Sequence, residues 1–338
     1  MKPRYFISII WGYSPTMYTF TPEEKYHLHV LKVAKELGYQ PIIIIRQGPG
    51  NVETDPDFDP GIIVHQYQNF AHYLWLILKY NYQNAVFYVN SYEWRSFVVP
   101  FFVNRSIFMG HTHVIRQTRL KQLIQKFVFH FFSRIRLNNE SEEKFLLQEN
   151  LPKNKLFVVP LVVPSSTFYY DDQKQRQNLV YYGHVTKKKN LATILQALSL
   201  VREKFPDIKL DVIGKIHDED FWPTVSRLGL EQHVIYRGFF SQTEAANLLN
   251  NYAIAVNSSF DEGQCVAVFD AALCGCALCL PAIMSFVDVF HNKALFHQKT
   301  NHAELAADII CYQENEVLRQ NHNDDCRAMI KQMYNLET

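Results

Sequence analysis

Short runs of β-branched and aromatic residues alternate with stretches of helical period along the whole chain. In the first half, YFISII (5–10), PIIII (41–45), GIIVHQY (61–67), AVFYVN (85–90), SIFMG (106–110) and KLFVVP (155–160) read as strands. Between the first two lies TPEEKYHLHVLKVAKELG (21–38). Thr21 and Glu24 have capping-box spacing there, Pro22 takes the first helical position and Gly38 ends the helix. The polar stretch SSTFYYDDQKQRQ (165–177) breaks the rhythm and is expected to be a linker. Beyond it the alternation restarts. NLVYYG, IKLDVIG, HVIYRG, AIAVNSS and ALCLP read as strands, with helices over NLATILQALSLVREKF, near EAANLLNN and over GQCVAVFDAALCG. This pattern predicts an α/β protein with parallel sheets covered on both faces. The expected division is a first domain at 1–164, the linker, a second domain at 178–320, and a C-terminal helix at 321–338 packing back on the first.

Composition narrows the classes without choosing one. A chain of 338 residues is long enough for two domains with their own cores. A net charge of +1 gives no global field for nucleic acid. The apolar run near the N-terminus is too short for a signal-peptide core followed by a cleavage site. No uninterrupted apolar run reaches the roughly 18 residues of a membrane-spanning helix. Six cysteines in a chain of this length suggest no disulfide framework, which points to a reducing cytoplasm.

The stretch SSFDEGQCVAVFDAALCGCALC (258–279) carries Glu262 and Asp270 with seven residues between them. Glu262 precedes the helix, whereas Asp270 lies two turns inside it, on an element apolar on nearly all sides. A buried acid is costly without a partner. The helix start near Gly263, Gln264 and Cys265 favours an anion such as a pyrophosphate. Acids on either side of bound phosphates suit the hydroxyls of a nucleotide sugar. A capping acid and a satisfied core acid explain the same segment, and on this stretch alone both readings stand. Cys274, Cys276 and Cys279 read as small core residues, since neither a fourth ligand nor an exposed knuckle signals zinc.

A second constellation agrees with the nucleotide-sugar reading. VYYGHVTKKKN (180–190) runs from a strand through Gly183 into Lys187, Lys188 and Lys189 before a helix. Solvated surface is the usual fate of such a run. A lysine in a strand-to-helix loop is also placed to neutralise a diphosphate, and Gly183 lets backbone approach the ligand.

Residues from about 150 to 338 resemble a retaining glycosyltransferase of family 4, the group 1 type with a GT-B fold. The resemblance is carried by VYYGHVTKKKNLATILQALSLVREKFPDIKLDVIG and by HVIYRGFFSQTEAANLLNNYAIAVNSSFDEGQCVAVFDAALCGCAL, where Glu262 and Asp270 stand in the places of the family's two acids in E-x7-E spacing. KLFVVPLVVPSSTF and ALFHQKTNHAELAADI resemble the family's interdomain junction and late loop. The resemblance implies two Rossmann-like domains facing each other across a cleft. Lys189 is similar to the lysine on the donor diphosphate, with Lys188 in reserve and His184 where an arginine is usual. Glu262 corresponds to the acid at the transferred sugar, Asp270 to the acid on ribose, and Gly263, Gln264 and Cys265 to the phosphate-binding backbone. Gly238 and Phe239 match the nucleobase wall. In the first half, SIFMGHTHVIR resembles the segment offering a catalytic histidine, which makes His111 the expected residue and His113 its reserve. His184, Gln264 and Asp270 depart from the family pattern.

The expected activity is retaining transfer of a hexose from a UDP- or GDP-linked sugar to a glycan or lipid-linked hydroxyl, in cell-surface polysaccharide synthesis. No cofactor and no metal are expected. The alternatives are a nucleotide-sugar epimerase of the same fold and a catalytically weak nucleotide-sugar-binding subunit. Segment 115–136 has no acid, and its arginines and lysines are interleaved with phenylalanines. It is expected to be a basic helix resting on an anionic membrane surface, so the protein would be cytoplasmic with peripheral contact at the inner face. DPDFDP (55–60) imitates a metal-binding acid motif but reads as a turn-rich loop.

Overall fold

A computed structural model describes residues 3–9, 30–46, 59–89, 94–109, 119–159, 167–263 and 265–334. The chain forms two compact units, 1–160 and 161–338. In the first, β1 (Arg4–Ile9), β2 (Tyr39–Arg46), β3 (Ile63–Tyr67), β4 (Val86–Val89), β5 (Ser106–Met109), β6 (Arg134–Leu137) and β7 (Leu156–Val158) form one sheet of order β3-β2-β1-β4-β5-β6-β7. Every pairing is parallel, and Ile7, Ile42, Ile44, Phe87 and Phe108 are fully enclosed. Such strands read as continuous apolar runs because helices cover both faces.

The second unit repeats the plan with β8 (Gln177–Tyr182), β9 (Leu210–Ile213), β10 (Val234–Gly238), β11 (Tyr252–Val256), β12 (Ala277–Pro281) and β13 (Leu295–His297). Their order is β10-β9-β8-β11-β12-β13, again all parallel. In both units chain order reverses beside the first strand, as in doubly wound nucleotide-binding folds.

Four sequence expectations meet the structure here. Residues 30–36 are helical and Gly38 has a φ of +78°, as the helix end requires; Thr21, Pro22 and Glu24 lie outside the described residues. The stretch expected as a linker belongs to the second unit from residue 167 onward. Phe168 enters its core, and Arg176 donates to the carbonyls of Asp171 and Cys274. The expected C-terminal helix is part of Glu316–Tyr334, which packs on the second unit through Cys326 and Ile330. Segment 115–136 is not one helix. Its described part is a helix at Arg119–Phe129, a turn, and then strand β6. Arg136 is buried in that strand, giving its Nε to Val159 O and its Nη1 to the Tyr88 hydroxyl. Among the described residues no helix is long and apolar enough to cross a membrane.

Candidate functional site

Ligands of open α/β sheets bind beyond the carboxyl ends of the strands where chain order reverses. In the second unit that place lies between β8 and β11. The segment after β8 carries Gly183, His184 and a short 3-10 turn at Lys187–Lys189; the segment after β11 carries Asn257–Cys265. Both arrive at the same point. Lys189 Nζ donates to Glu262 Oε1 at 2.5 Å, and Glu262 is only 6% exposed.

The two loops are stitched together beneath that ion pair. Phe260 N donates to Lys188 O at 3.0 Å. Asn190, held in a left-handed conformation at φ 53° and ψ 48°, gives its side-chain amide to Ser258 O at 3.1 Å and to Lys299 O at 3.0 Å. Asn tolerates this backbone region better than most residues. Ser258 Oγ also donates to Lys299 O, and buried His297 lies 3.3 Å from the same hydroxyl. Desolvation holds the His297 pKa down at about 4, so at neutral pH it is an uncharged support. Loops from β8, β11 and β13 thus share one hydrogen-bonded base.

Strand-end glycines open the neighbouring side. Gly183, Gly214 and Gly238 follow or end the adjacent strands β8, β9 and β10, with φ values of +140°, +140° and +92°. A Cβ at Gly214 would lie 2.1 Å from Gly183 O. Gly214→Ala is therefore expected to cost about 2 kcal/mol or more, read as a lower urea midpoint; an unchanged midpoint contradicts this packing. His184 and Phe239 have parallel rings with centroids 6.1 Å apart, and Lys215 Nζ lies 4.9 Å from the Phe239 ring centroid.

Helix Val266–Leu273 follows the acid loop. Its N-cap, Cys265, makes no side-chain cap hydrogen bond, and no acid lies in the first turn. Burial, reinforced by Glu262, pushes the Cys265 thiol up to about 12, so it is a neutral neighbour of any anion there. Asp270 faces inward, 3% exposed, and its Oδ1 has no hydrogen-bond partner. Desolvation raises its pKa well above the aspartate range. An orphaned carboxylate oxygen in such a place suits a hydroxyl donor.

Gly275 closes the helix at φ +102°. Its N–H bonds Ala272 O while Cys276 N bonds Ala271 O, the Schellman arrangement. Cys274, Cys276 and Cys279 are buried free thiols, all with pKa raised by desolvation.

The structure thus brings Gly183, His184, Lys188, Lys189, Gly238, Phe239, Glu262, Gly263 and Cys265 to strand ends or helix starts of one unit, with Asp270 inside the helix that follows. Gln264, His111 and His113 lie outside the described residues. Asn190 and Lys215 were missed by sequence reasoning. Their signals were an asparagine closing a lysine run and a lysine directly after a strand-end glycine. DPDFDP lies outside the described residues except for Asp59 and Pro60. Asp59 pairs with Lys35 and accepts from Gly61 N, as a turn acid does.

Residues 169–333 match the sequence model of the family described as glycosyl transferases group 1. No curated protein sequence matches the chain. Among solved structures it resembles a sucrose-phosphate synthase from Thermosynechococcus elongatus, with a TM-score of 0.80, 13% identity and coverage of 98% of this chain and 96% of that one. Anabaena HepE in complex with UDP and glucose gives a TM-score of 0.75, 14% identity and coverage of 98% and 95%. S. aureus TarM gives 0.66, 16% identity and coverage of 78% and 55%.

Proposed function

We propose that this chain is a glycosyltransferase, a reading supported by the match of residues 169–333 to the glycosyl transferases group 1 and by its GT-B fold, and that it moves a hexose from a nucleoside diphosphate sugar to a hydroxyl of a glycan or lipid-linked acceptor, retaining the anomeric configuration, as a family 4 enzyme of polysaccharide synthesis. The observation that carries this reading is the Lys189–Glu262 pair at the chain-order reversal of the second sheet. Lys189 meets the diphosphate, with Lys188 and His184 beside it. Backbone amides at Gly263, Gln264 and Cys265 share the phosphate charge. Asp270 accepts ribose hydroxyls, and Gly238 and Phe239 flank the base. The resemblance to HepE in complex with UDP and glucose, and to a TarM structure containing UDP, supports a uridine donor.

In this mechanism the sugar C1–oxygen bond to the diphosphate breaks while the acceptor hydroxyl attacks from the same face. The departing phosphate oxygen takes the hydroxyl proton, so the new glycosidic bond and the free nucleoside diphosphate balance the reaction. Positive charge on the sugar ring is stabilised by Glu262, with His111 as the second group and His113 in reserve. Charge on the leaving diphosphate is met by Lys189 and the helix amides, so no metal is invoked. We place the enzyme in the cytoplasm, in peripheral contact with the inner face of the membrane.

Calorimetric titration with UDP- and GDP-sugars, followed by transfer assays, tests the proposal. Glu262→Gln keeps the shape of the side chain and a hydrogen-bond acceptor for Lys189. It is expected to lower kcat by about 10²-fold while leaving UDP affinity within severalfold of the original. Wild-type turnover in this variant would remove Glu262 from the reaction.

A further inference from the structure

The helix Arg119–Phe129 is apolar on two faces. Val128 and Phe129 on one face enter the core of the first unit together with Phe132. On the other, Leu123 and Phe127 are each 62% exposed, with Ile124 beside them and Phe131 just beyond the helix end. Phe101 joins from a neighbouring turn, its ring 4.6 Å from Phe131 and 6.5 Å from Phe127; Phe102, next in sequence, is exposed as well. A surface helix ordinarily has one apolar stripe, and that stripe is already used here. A second one, extended by two more phenylalanines, marks an interaction surface.

Charge identifies the partner. From Trp94 to Asn139 the sequence contains no Asp or Glu and eight Lys or Arg residues. Ser106 N and Asn104 O both bond Ser133 Oγ, which brings the backbones of exposed Arg105 and Arg134 together. Lys126 is paired with Glu149, whereas Arg105 and Arg134 are exposed. Self-docking of two copies would set these like charges against one another.

We infer that Phe101, Phe102, Leu123, Ile124, Phe127 and Phe131 form a membrane-seating surface, with the apolar groups entering the headgroup boundary of an anionic bilayer and Arg105 and Arg134 meeting lipid phosphates. Aromatic and aliphatic side chains beside cations are the chemistry such an interface selects. The inference rests on the peripheral placement proposed above and not on the donor site, so the two fail separately.

The test is co-sedimentation of the full chain with vesicles of phosphatidylcholine alone and of equimolar phosphatidylcholine and phosphatidylglycerol. Binding is expected to the anionic vesicles and to weaken with added salt. The F127S/F131S variant is expected to bind them about tenfold more weakly, with UDP affinity and thermal midpoint unchanged. Arg105→Glu with Arg134→Glu reads the charge contribution separately and should abolish the preference for phosphatidylglycerol. The inference is overturned if the wild type shows no such preference, or if both variants bind as the wild type does. It is equally overturned if sedimentation velocity shows a wild-type dimer that F127S/F131S turns into a monomer, because the surface would then be a protein interface.

Discussion

Lys189→Ala is expected to lower transfer by about 10²–10³-fold, mostly in kcat. The ammonium is one of two charges in a tight pair at the reversal point, and its removal acts twice. Charge that develops on the departing diphosphate loses a fixed cation, which is a deficit in the transition state more than in the ground state. Glu262, 6% exposed, also loses the group that balances it. Leaving a buried carboxylate without its cation costs about 3–5 kcal/mol where the pair is well desolvated. Lys189 is 22% exposed, so the smaller figure is the better guide. A double variant separates the two effects. Lys189→Ala with Glu262→Gln removes both charges and should recover most of the urea midpoint, while transfer stays lost. Wild-type transfer by Lys189→Ala would dismiss the proposed role outright. If the double variant remained as unstable as Lys189→Ala, the pair would not be what holds the two loops in register.

The second large effect concerns Asp270. Burial raises its pKa, so between the ordinary aspartate range and that raised value the folded, ligand-free protein holds a proton that the unfolded chain has already released. The folded state then binds more protons than the unfolded state. Stability is therefore fully present below the ordinary aspartate range and falls as pH rises from there towards the raised pKa. Each pH unit in that window costs up to about 1.4 kcal/mol. Asp270→Asn removes the titration and is expected to flatten this decline, so the variant gains stability relative to the wild type as pH rises above the ordinary aspartate range. The neighbouring Tyr182 and Cys274, themselves raised by burial, stay neutral across that range. The cost falls on function. If ribose hydroxyls bind the ionised carboxylate, UDP binding expels the proton, and affinity rises with pH. Calorimetry in buffers of differing ionisation heat should detect that release in the wild type and lose it in Asp270→Asn, with binding weakened about 10–100-fold. A variant with unchanged UDP affinity and a wild-type stability profile would leave Asp270 as an ordinary core residue.

Some residues of the site are legible in the linear pattern. Lys189 and Glu262 each follow a strand-like run and precede a helical one, which already assigns them to strand ends where such sheets bind ligands. Gly275 is equally readable, since an apolar helix that must stop beside buried cysteines needs a left-handed residue. Others are hidden for definite reasons. RIRL reads as the end of a basic helix because arginine counts as exposed in any pattern argument. Its burial depends on Val159 O and the Tyr88 hydroxyl, both far away in sequence. Gly214 gives only a turn signal, and its need for a missing side chain comes from the Gly183 carbonyl on the adjacent strand. Asn190 ends a charged run that mostly suggests solvent, yet its amide joins three loops.

Local alternation of apolar and polar positions was enough to determine two α/β halves, the burial of most strands, and the residues that stand where a strand gives way to a helix. Burial period is a property of neighbours along the chain, so it survives without knowledge of the third dimension. Tertiary structure alone decided which of these ends meet. Lys189 and Glu262, 73 residues apart, pair because β8 and β11 are adjacent in the sheet, an adjacency that chain order does not reveal. It also decided that one aromatic helix spends a face on its own core and keeps another for an outside surface, since a phenylalanine reads the same in sequence whichever way it turns.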